Sequence, residues 1–301
     1  MKDLSSGQTK LPFEFLREPD RNFEKGGRSF YFFDFDDNVC HLPTKIVLFK
    51  KDSQNSFTEE IEVSTHEYAL IFKDIGKAGT RWASFFLREL DDDGSYRHFR
   101  EQKTLGLDQQ PLIKDITTAL RQPFLDWRGP SWDFFWHAVH NNRPISVITA
   151  RGHHPHTIRR AIDQLVLSRD LSSHPNYLSV YPVTHPEVRK GLGDSSYTWS
   201  TAHLKKAAIK RAVQDAFECY GENPQHRFGM SDDDPQNVAL IREAMQELKV
   251  QYPENAFYVI NTHARQLLKE EVMLPNEEVK VTEYNQLGLF DFPESDVEIL
   301  Q

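Results

Sequence analysis

Five short segments share one pattern, a run of apolar, β-branched or aromatic positions that ends abruptly in polar or turn residues. They are Ser29–Asp37 (SFYFFDFDD), Pro144–Gly152 (PISVITARG), Asn176–Thr184 (NYLSVYPVT), His226–Asp234 (HRFGMSDDD) and Asn255–Thr262 (NAFYVINT). Runs of this length without clean alternation suit strands covered on both faces, as in a parallel sheet. Between the later segments the period becomes that of a helix. Ile158, Ala161, Ile162, Leu165 and Val166 recur at helical spacing, as do Leu204, Ala208, Ala212, Val213, Ala216 and Phe217. A further stripe, Val238, Ile241, Met245 and Leu248, follows the fourth segment. Alternation of this kind predicts an α/β fold: a parallel, Rossmann-like sheet of at least five strands with helices on both faces.

Residues 38–143 separate the first two segments, far more than a crossover needs. An inserted, cap-like subdomain is therefore expected at 45–141, with 1–44 and 142–301 forming the core. The first half of the insertion reads as β-rich: KIVLFKK, EEIEVST, EYALIFKDI, RWASFFLREL and SYRHFRE. Asp92-Asp93-Gly94 between the last two is a hairpin cue. The second half, from about residue 111 and ending in WDFFWHAVHNN, reads as helical.

Composition narrows the class. With 39% hydrophobic and 27% charged residues the chain can bury a core, which excludes a wholly disordered protein. A formal charge of −9 weighs against a polyanion-binding surface, so no nucleic-acid partner is expected. Cys40 and Cys219 are the only cysteines, too few for a disulfide scaffold, which favours a reducing compartment. The stretch MKDLSSGQTKLPFEF has no apolar signal core, and no run approaches the roughly 18 apolar residues of a membrane span. The expectation is a cytoplasmic protein without a membrane partner.

Candidate chemistry collects at the ends of the apolar runs, where open α/β sheets bind ligands. Asp34 and Asp36 close the first run. Two carboxylates so near one another repel unless a cation lies between them or one stays protonated, and hard oxygen donors suit Mg²⁺. Thr149 closes the second run, ahead of Arg151-Gly152 and a helix opening near Pro155, where a hydroxyl and free backbone amides can hold phosphate oxygens. Lys205, Lys206 and Lys210 lie in an otherwise apolar helix, and one of them could neutralise a phosphate at the same edge. Ser231, Asp232, Asp233 and Asp234 follow the fourth run, where Asp234-Pro235 also reads as helix initiation.

Taken in this order, the signals resemble the haloacid dehalogenase-like hydrolase superfamily. Asp34-Phe35-Asp36-Asp37-Asn38-Val39 is similar to its Asp-x-Asp-x-(Thr/Val)-(Leu/Val) motif, Ile148-Thr149 to its second motif, Lys205-Lys206-Ala207-Ala208-Ile209 to its third, and Asp232-Asp233 to its acidic fourth. The resemblance spans residues 29–262 apart from the insertion, and it departs at Asn38, where Thr or Val is usual. It implies a phosphatase or phosphotransferase. Asp34 would attack phosphorus, while Asp36 would protonate the leaving oxygen and then deprotonate water. Thr149 and Lys205 would hold phosphoryl oxygens. Mg²⁺ would rest on Asp34, the backbone carbonyl of Asp36 and Asp232, with Asp233 direct or through water.

The implied partner is a phosphorylated substrate of unspecified identity. A catalytically silent phosphate- and metal-binding protein on the same scaffold is the alternative. A receiver-like domain is disfavoured by the second aspartate and the chain length. Glu89-to-Arg100 fails as a calcium loop because Arg100 stands where a bidentate Glu belongs. His153, His154 and His156 read as loop histidines near the edge, and Trp127, Trp132 and Trp136 as packing residues.

Overall fold

A computed structural model describes residues 16–284 apart from 53, 55, 56, 89–91, 264–266 and 275–279. In chain order the elements are β1 (Ser29–Phe33), β2 (Lys45–Lys51), β3 (Phe57–Ser64), α1 (Thr65–Ile71), β4 (Phe85–Phe86), α2 (Pro111–Ala119), α3 (Phe124–Trp127) and α4 (Trp132–His140). There follow β5 (Pro144–Thr149), α5 (Pro155–Leu167), β6 (Asn176–Pro182), α6 (Pro186–Gly191), α7 (Thr201–Tyr220), β7 (Arg227–Asp232), α8 (Pro235–Gln251), β8 (Ala256–Asn261), β9 (Leu267–Glu271) and β10 (Lys280–Tyr284).

The main sheet is mixed and mostly parallel, in the order β10-β9-β8-β7-β1-β5-β6. The five apolar runs supply its parallel part, with β1 flanked by β5 and β7. β9 and β10 add an antiparallel edge. From β1 the chain builds outward first to β5 and β6 and later to β7 and β8. This makes the carboxyl end of β1 the point where the winding reverses, the place where open α/β sheets bind ligands.

Strand alternation sends successive β1 side chains to opposite faces. Phe30 and Phe32 pack with Leu204, Ala208 and Val213 of α7 and with Val238, Ile241 and Met245 of α8. Phe33 packs on the other face with Val147 of β5, Leu112 and Ile116 of α2, Phe135 and Ala138 of α4, and Ile158 of α5. Helices thus cover both faces. The helices within 111–140 belong to the layer on the parallel sheet, because their apolar stripes have that sheet to bury against. Trp127 and Trp132 are buried in this cluster, and Trp136 packs against it.

The β-rich part of the interval forms a small antiparallel sheet, β3-β2-β4, over a separate cluster of Ile46, Leu48 and Val63. Two expectations there are corrected. The segment EYALIFKDI forms α1 and a following 3₁₀ turn, not a strand. Ser64 accepts from the Glu67 amide at 3.1 Å while the Glu67 carboxylate accepts from the Ser64 amide at 2.7 Å, a capping box that starts the helix. SYRHFRE forms a 3₁₀ turn at Arg97–Phe99, and β4 pairs with β2, so Asp93-Gly94 does not join two paired strands. Tyr96 and Phe99 instead turn inward against the small cluster. Glu89 and Asp91 of the rejected calcium loop lie outside the described residues, as does the N-terminal stretch 1–15. No helix among the described residues is long and apolar enough to cross a membrane.

Candidate acidic site at the switch point

β1 ends at Phe33, yet its pairing with β7 runs one residue further, through the Asp34 amide donating to the Ser231 carbonyl at 3.1 Å. The chain then curls: Asp37 takes a left-handed φ of 59°, and its amide donates to the Cys40 carbonyl at 2.9 Å. This curl delivers Asp34 and Asp36 to different partners.

Asp34 turns toward α7. The Lys205 ammonium donates to Asp34 Oδ1 at 2.8 Å and to Asp232 Oδ2 at 3.1 Å, and all three side chains are buried. Ser200 caps α7 by accepting from the His203 amide at 3.2 Å, which places Lys205 about one turn inside a fixed helix start. Lys206 pairs with Glu243 and Glu247 at 3.2 and 2.7 Å, and Lys210 pairs with Glu247, so neither lies between the carboxylates.

Asp232 ends β7. Its Oδ1 accepts from the Asp234 amide at 3.0 Å and from Asn237 Nδ2 at 3.1 Å. Asp234 caps α8 by accepting from the Gln236 amide at 2.8 Å, with Pro235 opening the helix. Asp233 completes a cluster in which one carboxylate oxygen each from Asp34, Asp232 and Asp233 lies within 4.8 Å of the others.

Charge in this cluster is unbalanced. Burial pushes the Asp34 carboxyl well above the ordinary carboxylate range, Asp232 and Asp36 push it further, and Lys205 opposes them. Asp233 is pushed up to about 7, by burial first and then by Asp232 and Asp37. Burial alone would lower the Lys205 pKa, but Asp232 and Asp34 reverse that and hold the ammonium charged. One ammonium among three carboxylates leaves negative charge unmet, and the donors are all hard oxygens. The residues fit a divalent cation of the Mg²⁺ type.

Asp36 faces β5. Arg151 Nη2 donates to Asp36 Oδ1 at 2.6 Å and Arg151 Nε to Oδ2 at 2.8 Å, while Thr149 Oγ1 donates to Oδ2 at 3.3 Å. Arg151 is wholly buried, with Nη2 also donating to Thr44 Oγ1 at 2.6 Å and the guanidinium over the Phe99 ring at 4.8 Å. The structure therefore brings Asp34, Lys205, Asp232 and Asp233 together as one group, with Asp36 and Thr149 grouped around Arg151.

Two residues were missed as parts of this arrangement. In the sequence Arg151 reads only as part of a turn, although a charged residue just after an apolar strand end is a usable signal. Asn38 reads there only as a departure from a motif. It is wholly buried, and its amide donates to the carbonyls of Asp34 at 3.1 Å and Ser231 at 3.0 Å. His153 is also wholly buried, next to Arg151 in the chain, and neither ring nitrogen has a hydrogen-bond partner among the described residues. His154 caps α5, accepting from the His156 amide at 3.1 Å. Cys40 and Cys219 are both free thiols.

Comparison of the chain with protein-family models, with curated proteins and with solved structures finds no match in any of the three.

Proposed function

We propose that the protein is a Mg²⁺-dependent phosphohydrolase that passes a phosphoryl group through Asp34 to water. The observation carrying this reading is the Lys205 ammonium set between Asp34 and Asp232, with Asp233 alongside, at the reversal point of the sheet. A carboxylate is a competent covalent nucleophile for phosphorus when neighbouring cations offset the charge of both reactants. Mg²⁺ would be held by Asp34, Asp232, Asp233 and the backbone carbonyl of Asp36. When bound, it would neutralise charge on the phosphoryl oxygens.

The chain's own groups supply the rest. An Asp34 oxygen attacks phosphorus, and the bond to the leaving oxygen breaks as that oxygen takes a proton from Asp36. Asp36 then takes a proton from water, whose oxygen attacks phosphorus; the electron pair of the broken bond returns to Asp34 and phosphate departs. Lys205 and Thr149 hold phosphoryl oxygens through this cycle. Burial of Asp34, whose side chain is 8% exposed, keeps bulk water from the reacting carboxylate.

A second reading, a catalytically silent binder of phosphate and metal, is favoured by one observation. Both oxygens of Asp36 are engaged by Arg151, so proton transfer requires one of those bonds to yield. A panel of phosphomonoesters assayed with Mg²⁺ and with chelator separates the two, together with calorimetry of phosphate binding. Chelator-sensitive turnover supports the enzyme. Binding without turnover supports the silent protein, and neither binding nor turnover rejects both.

A further inference from the structure

We propose that Asn38 is a positioning residue that sets the spacing between Asp34 and Asp232, and with it the cation affinity of the cluster. The inference rests on the metal-dependent reading above and concerns a residue that touches neither phosphate nor metal in that reading.

The two carboxylates arrive on different strands, β1 and β7. Lys205 bridges the side chains, but the separation of their backbones is set where the two strands are tied together, and the ladder between them ends at the Asp34 amide and the Ser231 carbonyl, 3.1 Å apart. The Asn38 side chain extends that tie beyond the last ladder bond. Nδ2 donates to the Asp34 carbonyl at 3.1 Å, to the Ser231 carbonyl at 3.0 Å and to Ser231 Oγ at 3.0 Å. It thereby joins the carbonyl of the first carboxylate-bearing residue to that of the residue directly before the second.

The other end of the amide anchors the node. Oδ1 accepts from Ser131 Oγ at 2.7 Å, at the start of α4, and from Thr262 Oγ1 at 2.8 Å, just past β8. The Thr262 amide in turn donates to the Asp232 carbonyl at 3.2 Å. Backbone crowding completes the fixation. A Cβ on Gly129 would come within 2.3 Å of the Asn38 carbonyl oxygen, so the loop after β1 lies directly against the approach to α4.

Only an amide does this work. It offers two N–H donors and an oxygen with two lone pairs on one planar group. Threonine has one donor and valine none, so neither residue usual at this place in the resembling motif could bridge the two carbonyls and accept from both hydroxyls. Buried, with its two N–H groups facing three acceptors and its oxygen accepting from two hydroxyls, the amide also holds one rotamer, so that losing a single oxygen-side bond leaves the tie between the strands in place. Groups that orient metal ligands typically cost about 10–100-fold in metal affinity when removed.

The test measures Mn²⁺ affinity by calorimetry, alongside thermal stability, in Asn38→Thr, Asn38→Ala, Ser131→Ala and Ser231→Ala. Ser131→Ala removes one bond from the same amide on its helix side, away from both carboxylate strands. The expected result is an affinity loss of about 10-fold or more in the Asn38 variants, with Ser131→Ala within about two-fold of wild type. Ser231→Ala, which spares the backbone and should fold where Asn38 variants fail, is expected to lose a few-fold. Wild-type affinity in folded Asn38 variants, or equal losses in Ser131→Ala and Asn38→Ala, would overturn the assignment. Should the Asn38 variants fail to fold, unchanged affinity in Ser231→Ala overturns it. Absence of Mn²⁺ binding by wild type rejects the metal-dependent reading itself, and the assignment with it.

Discussion

Arg151, without solvent exposure, grips Asp36 with two of its nitrogens, at 2.6 Å from Nη2 to Oδ1 and 2.8 Å from Nε to Oδ2. A guanidinium fork matches a carboxylate in a way an ammonium cannot. Removing one partner of a buried pair strands the other, at a cost of about 3–5 kcal/mol. Asp36 keeps some contact with water, its side chain being 21% exposed, so the low end of that range applies. Arg151→Met is expected to lose about 3 kcal/mol in urea unfolding, and Arg151→Lys to recover little of it. A Lys variant as stable as wild type would show that charge alone, without the two-pronged geometry, is what counts.

The acidic cluster predicts that metal and fold are linked. The raised pKa of Asp233, about 7, means that its ionised form is disfavoured in the folded protein. Replacing it by a neutral isostere should relieve that repulsion. Asp233→Asn is expected to raise the melting temperature of cation-free protein and to shrink the further rise produced by Mg²⁺ or Mn²⁺. Differential scanning calorimetry with and without chelator reads both. A variant that melts lower than wild type without metal would contradict the charge argument.

Lys205 is the sole ammonium the cluster receives among the described residues, at 2.8 Å from Asp34 and 3.1 Å from Asp232. Lys205→Met leaves those carboxylates buried without it. The variant is expected to fold poorly at low ionic strength and to regain stability with divalent cation, which supplies the missing charge. Circular dichroism melts across a cation titration check this. Stability equal to wild type in chelator would show that the ammonium is not needed to offset the cluster.

His153 supplies a pH dependence separate from the acidic cluster. Burial first, then the charges of Arg151 and His185, push its pKa well below the ordinary 6.5. Between that depressed value and 6.5 the unfolded chain binds a proton that the folded protein refuses, so stability rises with pH across this window and falls as pH drops through it. Urea midpoints from about pH 5 to pH 7.5 should show His153→Leu gaining steadily on wild type as the pH falls, because only wild type loses stability through this histidine. Parallel curves would remove His153 from the explanation.

How much was legible in the sequence follows from what buried each residue. The five parallel strands were legible because burial on both faces leaves largely apolar runs such as Phe30–Phe33 and Ile145–Ile148, the latter broken only by the buried Ser146. β9 and β10 were not, because an antiparallel edge tolerates mixed polarity such as LLKEE. The helix at Thr65–Ile71 was hidden by its β-branched and aromatic content, though Ser64-Thr65-His66-Glu67 carried the capping signal. Asp34, Thr149 and Asp232 could be placed at one edge because each ends a strand. Which lysine meets them depends on helix phase and could not be read. Arg151 and Asn38 escaped because tertiary contacts alone bury them, and a polar residue in a loop carries no local mark of that fate.

The proposed reaction requires Asp34 to carry the phosphoryl group. The most direct measurement is borohydride trapping during turnover of an aryl phosphate with Mg²⁺, followed by peptide mass spectrometry. An aspartyl phosphate is an acyl phosphate, and reduction converts that aspartate to homoserine. Homoserine is expected at position 34 and nowhere else, dependent on substrate and abolished in Asp34→Asn. Sustained turnover with an unmodified Asp34, or with the modification at another carboxylate, would contradict it.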